Sequence, residues 1–157
     1  MKTIHEIIRI NGGLRKLREN KIRIEKESIS SLEIELIGEG PRGFEAIKVS
    51  QIVCKGGDWH LNPEFCFEMI RLVNWKYSEE GMKPERIVYF FPYSYTQDIS
   101  QSSENVFEID VNGEIKDTNQ NLISKLDSLR DTWNRDFKDS GYLEIFKSQI
   151  EINGAGK

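Results

Sequence analysis

The stretch LEIELIGEGPRGFEAIKV, residues 32–49, decides how this chain folds. On its N-terminal side Leu32, Ile34 and Leu36 alternate with Glu33 and Glu35, the period of a half-buried strand. On its C-terminal side Ile47, Val49 and then Val53 fall on one face in the same way. Between them Gly38, Gly40, Pro41 and Gly43 surround Arg42. A phosphate loop would set its glycines before a helix, with a lysine and a hydroxyl following. A strand pattern follows here, so that reading fails. A hairpin connection fits instead: glycine supplies positive φ and Pro41 pre-sets a turn. Beside it stands a functional reading. Gly40, Pro41 and Gly43 frame Arg42 on an external tip, where its planar fork meets a carboxylate or phosphate. Glu39 and Glu45 are equally placed to be Arg42's own partners.

Outward from this hairpin the strand period continues. Ile22 and Ile24 alternate with charge before it. After the turn at Gly56-Gly57-Asp58 comes a long strand from Glu64 to about Trp75. Phe65, Phe67, Met69, Val73 and Trp75 line one of its faces, and Cys66, Ile70 and Leu72 the other. Such a strand is expected to be covered on both faces or central in its sheet. Ser78 to Pro84 reads as a polar connection, and Arg86 to Tyr95 as an aromatic-rich strand. Asn112-Gly113 marks a hairpin between Val106–Val111 and Glu114–Lys116.

Helical periods occupy the two ends. Thr3 and Glu6 have the spacing of a capping box, followed by Ile4, Ile7 and Ile8 on one face. Asn11-Gly12-Gly13 breaks that helix, and a short second one runs to about Asn20. From Asn119, Leu122, Leu126, Leu129, Trp133 and Phe137 form a continuous stripe that Gly141 ends, before a short helix from Tyr142 to about Gln149. Short strand-to-strand connections favour antiparallel pairing. The expected fold is α+β: a mainly antiparallel sheet of five to seven strands, with the N-terminal and C-terminal helices packed on one face. One domain is expected over residues 1–152, with a disordered tail at 153–157.

Composition narrows the class. The chain has 157 residues, 31% charged, with a net charge of −4. That size buries a core without metal or disulfide, and the acidic balance disfavours a general nucleic-acid binder. No apolar run has the length to span a bilayer, and the N-terminus lacks an apolar signal core. A cytoplasmic location is expected, with Cys54 and Cys66 as reduced, structural thiols. With only His5 and His60 to join them, no metal site and no cofactor are expected.

Several blocks resemble a family of small bacterial domains of unknown function, frequent on plasmids, phages and integrative elements. The resemblance is carried by Thr3-Ile4-His5-Glu6-Ile7 and Gly12-Gly13-Leu14, then by Gly38 to Gly43 leading into Ala46-Ile47-Lys48-Val49. Gly57-Asp58 with Pro63-Glu64, and the last helices with Trp133 and Gly141, complete it. The chain departs from the family between Met82 and Ser103. There Pro92, Tyr93, Tyr95 and Asp98 stand as counterparts, and Ser100 to Ser103 replaces a glycine turn. The resemblance brings no activity. It implies a mobile-element or phage setting, in which accessory proteins often act by binding, including against host defence.

The candidate chemistry is sparse. No catalytic residue is assigned, and an enzyme is disfavoured. Asp58 and Glu64 are carboxylates around a turn, and with Arg42 they make an alternative phosphoester- or nucleotide-processing site if the three converge. Tyr89-Phe90-Phe91-Pro92-Tyr93-Ser94-Tyr95 carries five rings in seven residues. With no lysine or arginine interleaved, it reads as core plus a protein-contact edge. A nucleic-acid alternative requires Arg9, Arg15, Lys16 and Arg18 to share one face. The leading reading is a binding protein whose partner is another protein, contacted through Arg42, Pro41, Gly40, Gly43, Tyr93 and Tyr95. Its oligomeric state is left open by the sequence.

Overall fold

Gly12, at φ +102°, turns the chain between α1 (Lys2–Ile10) and α2 (Gly13–Glu19), so the N-terminus is a helix pair. The computed structural model describes residues 1–26, 30–78, 81–97 and 103–154. Thr3 does not cap α1: the helix already begins at Lys2, and Thr3 is buried within it. Glu6 binds Arg9 one turn on rather than reaching back to the helix start.

Six strands then follow one another in space as in sequence. They are β1 (Ile22–Lys26), β2 (Ser30–Glu39), β3 (Glu45–Lys55), β4 (Asp58–Ser78), β5 (Gly81–Thr96) and β6 (Glu104–Asn105), and every neighbouring pair is antiparallel. A separate two-stranded ribbon, β7 (Phe107–Ile109) and β8 (Ile115–Thr118), turns at the Asn112-Gly113 pair. Asp110 holds that turn by accepting from the backbone N–H groups of Asn112 and Glu114. The chain closes with α3 (Gln120–Asp139) and α4 (Tyr142–Gly154).

The sheet has one helix-covered face, because the strand alternation sends Leu32, Ile34, Ile47, Val49, Phe65 and Phe67 to the same side. There Trp133 of α3 lies 4.7 Å from the Phe65 ring and 4.7 Å from Phe137. Tyr142 at the start of α4 is buried, and its hydroxyl meets Ser30 Oγ at 3.1 Å. α1 supplies Ile4, Ile7 and Ile8 to the same core. The α+β architecture is therefore the one expected, with α1, α3 and α4 segregated to one face. Arg130 ties α3 to β5: it donates to Asp127 at 2.7 Å and to the Phe90 carbonyl at 3.3 Å, with its guanidinium over the Tyr89 ring.

Three expectations about the strands change. The turn at Gly56-Gly57 is tighter than expected, so β4 starts at Asp58 rather than Glu64 and runs for 21 residues. Nor is β4 covered along its length. β3 reaches only as far as Ala46 opposite Glu68, and beyond that point β4 pairs with β5 alone. The residues read as a polar connection, Ser78 to Pro84, belong mostly to the ends of this β4–β5 ribbon; residues 79–80 lie outside the described residues. The same is true of Asp98, of Ser100 to Ser102 and of tail residues 155–157.

Candidate functional site

The β2–β3 connection is a hairpin loop closed by two backbone hydrogen bonds. Gly43 N–H donates to the Gly40 carbonyl at 2.9 Å, and Gly40 N–H to the Phe44 carbonyl at 2.8 Å. Gly43 sits at φ +79°, where any side chain is strained. The pairing resumes at Glu39 opposite Glu45.

Arg42 is not presented outward from this loop. Its Nε donates to Glu68 Oε2 at 2.6 Å, and its backbone N–H donates to Glu68 Oε1 at 2.6 Å. Glu68 lies on β4 with its side chain 0% exposed, against 29% for Arg42. The partner is thus neither Glu39 nor Glu45. The cause is the pleat: Glu68 points to the face opposite the helices, where the loop folds over it. Gly40 makes that approach feasible, since a Cβ there would overlap Glu68 Cγ and Oε1. The guanidinium also lies 3.8 Å from the Phe91 ring centroid and within 6 Å of Phe44 and Phe107. Burying a carboxylate costs several kcal/mol of hydration. Two charge-assisted bonds and three aromatic faces offset that cost.

Next to this clasp is a recess of about 380 Å³, lined by Pro41, Tyr93, Asn105, Phe107 and Ile109. It brings together Pro41 and Tyr93, two of the expected contact residues, across the loop, β5 and β7. Tyr93 sits beside Cys66, where the β4–β5 register shifts. Burial, then the neighbouring Cys66, raises the phenol above its ordinary range. Burial, reinforced by Glu64, pushes the Cys66 thiol up to about 11. Such a thiol is protonated at neutral pH and is no nucleophile. Gly40 and Gly43 shape the loop that flanks the recess. Tyr95 faces the other way, its ring 4.8 Å from Phe65 in the helix-side core.

Further along the same sheet face, Lys48 contacts Glu35 at 3.2 Å, and Ser50 donates to Glu64 at 2.8 Å. Burial opposes the charge on Lys48, yet Glu35 and Glu64 hold its pKa above the ordinary lysine value. Asp58 lies at the other end of β4, opposite Lys55. At about 3.3 Å per residue, Glu64 is roughly 13 Å and Asp58 roughly 33 Å from Glu68 along the strand. Arg42, Asp58 and Glu64 therefore do not converge. Cys54 and Cys66 are free and half-buried, and His60 is exposed. Among the described residues no three His, Cys, Asp or Glu side chains cluster as a metal would require. Of the N-terminal cations, Arg9 pairs with Glu6, Lys16 with Glu19, and Arg18 with Glu45.

The sequence reading missed Glu68. Its signal was a lone acid between Cys66 and Ile70 on the second apolar face of a strand, a position that calls for a buried partner. The reading also missed the open ribbon of β4 and β5 beyond Glu68, where Trp75 and Tyr77 are 57% and 85% exposed.

An α+β domain with a strictly sequential antiparallel meander, one helix-covered face and a clasped loop on the other defines the class. The chain belongs to the DUF6908 family, a domain of unknown function, whose model matches residues 2–143 from α1 to the start of α4. No curated protein and no solved structure gives a significant match. Among the described residues no helix is long and apolar enough to cross a membrane.

Proposed function

We propose that this chain is a cytoplasmic accessory protein that acts by contact with another protein, in the setting of a mobile element or phage and directed there against host defence. The contact surface is the recess beside the Arg42 loop, entered over Pro41, Tyr93 and Ile109. One observation carries the reading: the loop beside the recess is fixed from beneath by a buried ion pair. A recess held in one shape binds at lower ordering cost than a mobile one. Its lining of proline, tyrosine, phenylalanine and isoleucine with one asparagine suits an apolar peptide side chain with a polar neighbour. The setting rests on the block resemblance alone.

The phosphoester reading loses support because Arg42 is held on Glu68, while Glu64 and Asp58 lie further away along β4. The nucleic-acid reading loses support because three of its four cations hold carboxylates.

A photo-cross-linking residue at position 109, compared in native host cells with the same probe at Lys138 on the exposed side of α3, tests the proposal. A discrete protein adduct from position 109, absent from position 138 and lost on Tyr93→Ala, is the expected result. Equal adducts from both positions, or none from position 109, would overturn it.

A further inference from the structure

Past Glu68, β4 and β5 leave the body of the sheet as a two-stranded ribbon. β4 pairs there from Met69 to Ser78 with β5 only, and among the described residues no strand lies on its other edge. Isolated two-stranded ribbons are marginal in water, and an open edge of this length is a template for another strand. The ribbon is also apolar. Val73, Trp75, Tyr77 and Met82 are exposed on the face continuous with the core residue Met69, while Leu72 and Ile87 are exposed on the other. Trp75 and Tyr77 alone leave roughly 300 Å² open. The four on the Met69 face leave on the order of 500 Å², within the range of a monomer's largest patch, and with the two on the opposite face the ribbon exposes on the order of 600 Å², against the roughly 800 Å² per partner of a standard interface.

We infer that a second copy of this chain covers the ribbon, with the two β4 edges pairing antiparallel about a two-fold axis at Asn74. The symmetry makes the inference specific. A two-fold axis normal to the sheet pairs only residues that share a face, so Arg71 never meets Lys76 of the other copy. Centred on Asn74, the register sets Val73 against Trp75 twice, an aromatic–β-branched pair. It sets Arg71 against Tyr77 and Lys76 against Leu72, so no like charges lie directly opposite. The β5 edge carries Pro84, which cannot donate to a ladder, whereas residues 69–78 of β4 contain no proline. The β4 edge is therefore the one that pairs. The pairing builds a four-stranded ribbon and uses none of the residues that line the recess beside the Arg42 loop, so this inference stands apart from the proposed function.

Sedimentation and light scattering on the full chain test it. The expected result is a species at twice the 18.3 kDa chain mass, weakened by more than about tenfold in Trp75→Glu. Because Trp75 is exposed, that variant should keep the wild-type circular dichroism. Asn74→Cys should form a disulfide-linked dimer on oxidation, while Lys138→Cys, far from the ribbon, should not. A monomer up to the limit of solubility overturns the inference. So does a dimer unaffected by Trp75→Glu, or one in which Asn74→Cys fails to cross-link.

Discussion

Glu68 accepts two hydrogen bonds from Arg42, one from its backbone N–H and one from its Nε, each at 2.6 Å, while no part of the glutamate side chain reaches solvent. The loop that looks like an exposed tip in the sequence is thus anchored through its most polar residue. Rigidity comes from below the loop as well as from the strands that flank it.

Arg42→Ala should therefore destabilise the chain. It leaves a buried carboxylate with one backbone donor in place of its counter-charge, at a cost of about 3 kcal/mol, the low end for breaking a buried pair. Arg42→Lys should recover only part of the loss, because an ammonium cannot reproduce the planar stack on Phe91. Denaturant titrations of the two variants check this. A change within about 0.5 kcal/mol for Arg42→Ala, the ordinary surface value, would show that the pair carries no stability.

The two loop glycines should fail for different reasons. Gly43→Ala meets no neighbour but is strained by its positive φ, a cost of about 1–2 kcal/mol. Gly40→Ala drives its Cβ into Glu68 and must displace the carboxylate from Arg42. In an Arg42→Ala background the effect of Gly40→Ala should shrink, since the carboxylate has already lost its counter-charge and keeps only the backbone bond, while that of Gly43→Ala should stay unchanged. A double-mutant cycle read by thermal melts distinguishes the two.

Alkaline pH should loosen the fold through Cys66. Its folded-state value of about 11 lies above the 9.0 of a free thiol. The folded chain then keeps a proton that the unfolded chain has already lost. The contribution is whole below pH 9 and is lost as pH rises from 9 through 11. A shift of this size corresponds to about 3 kcal/mol at most. Tyr93, also raised, adds in the same direction at higher pH. Melting temperatures from pH 8 to pH 11 should fall more steeply for the wild type than for Cys66→Ala. Parallel curves would count against a buried thiol here.

Asn119 caps α3 by accepting from the Leu122 backbone N–H at 3.0 Å. Asn119→Ala should cost about 1 kcal/mol, and Asn119→Asp or Asn119→Ser much less. Urea midpoints with unchanged slope are the readout.

What could be read beforehand depended on how local the cause was. The α3 stripe from Leu122 to Phe137, the Asn112-Gly113 turn and the alternation from Leu32 to Val49 each follow from spacing alone. The Arg42–Glu68 pair joins residues 26 apart, and nothing near Arg42 in sequence distinguishes Glu68 from Glu39 or Glu45. The coverage of β4 depends on where β3 stops, which no residue of β4 records. Val73, Trp75 and Tyr77 carry the pattern of a buried face and are exposed because the neighbouring strand ends at Glu45. The expected contact set divides in the same way. Pro41 and Tyr93 meet at the recess, whereas the bulge at Tyr93 breaks the alternation of β5 and leaves Tyr95 facing the core.

The helices at the two ends of the chain cover one sheet face together, and this sets an order on biosynthesis. The six strands leave the ribosome in the order in which they pair, so each hairpin can form from residues already made. The face that holds Phe65, Phe67 and Met69 waits longer. Its cover needs Leu126, Trp133 and Phe137, which are translated last but for α4. At about 5–20 residues per second, the nascent meander spends seconds with an apolar face closed only by α1 and α2. During that interval the open face is exposed to aggregation, and a pause in translation near residue 119 would extend the exposure.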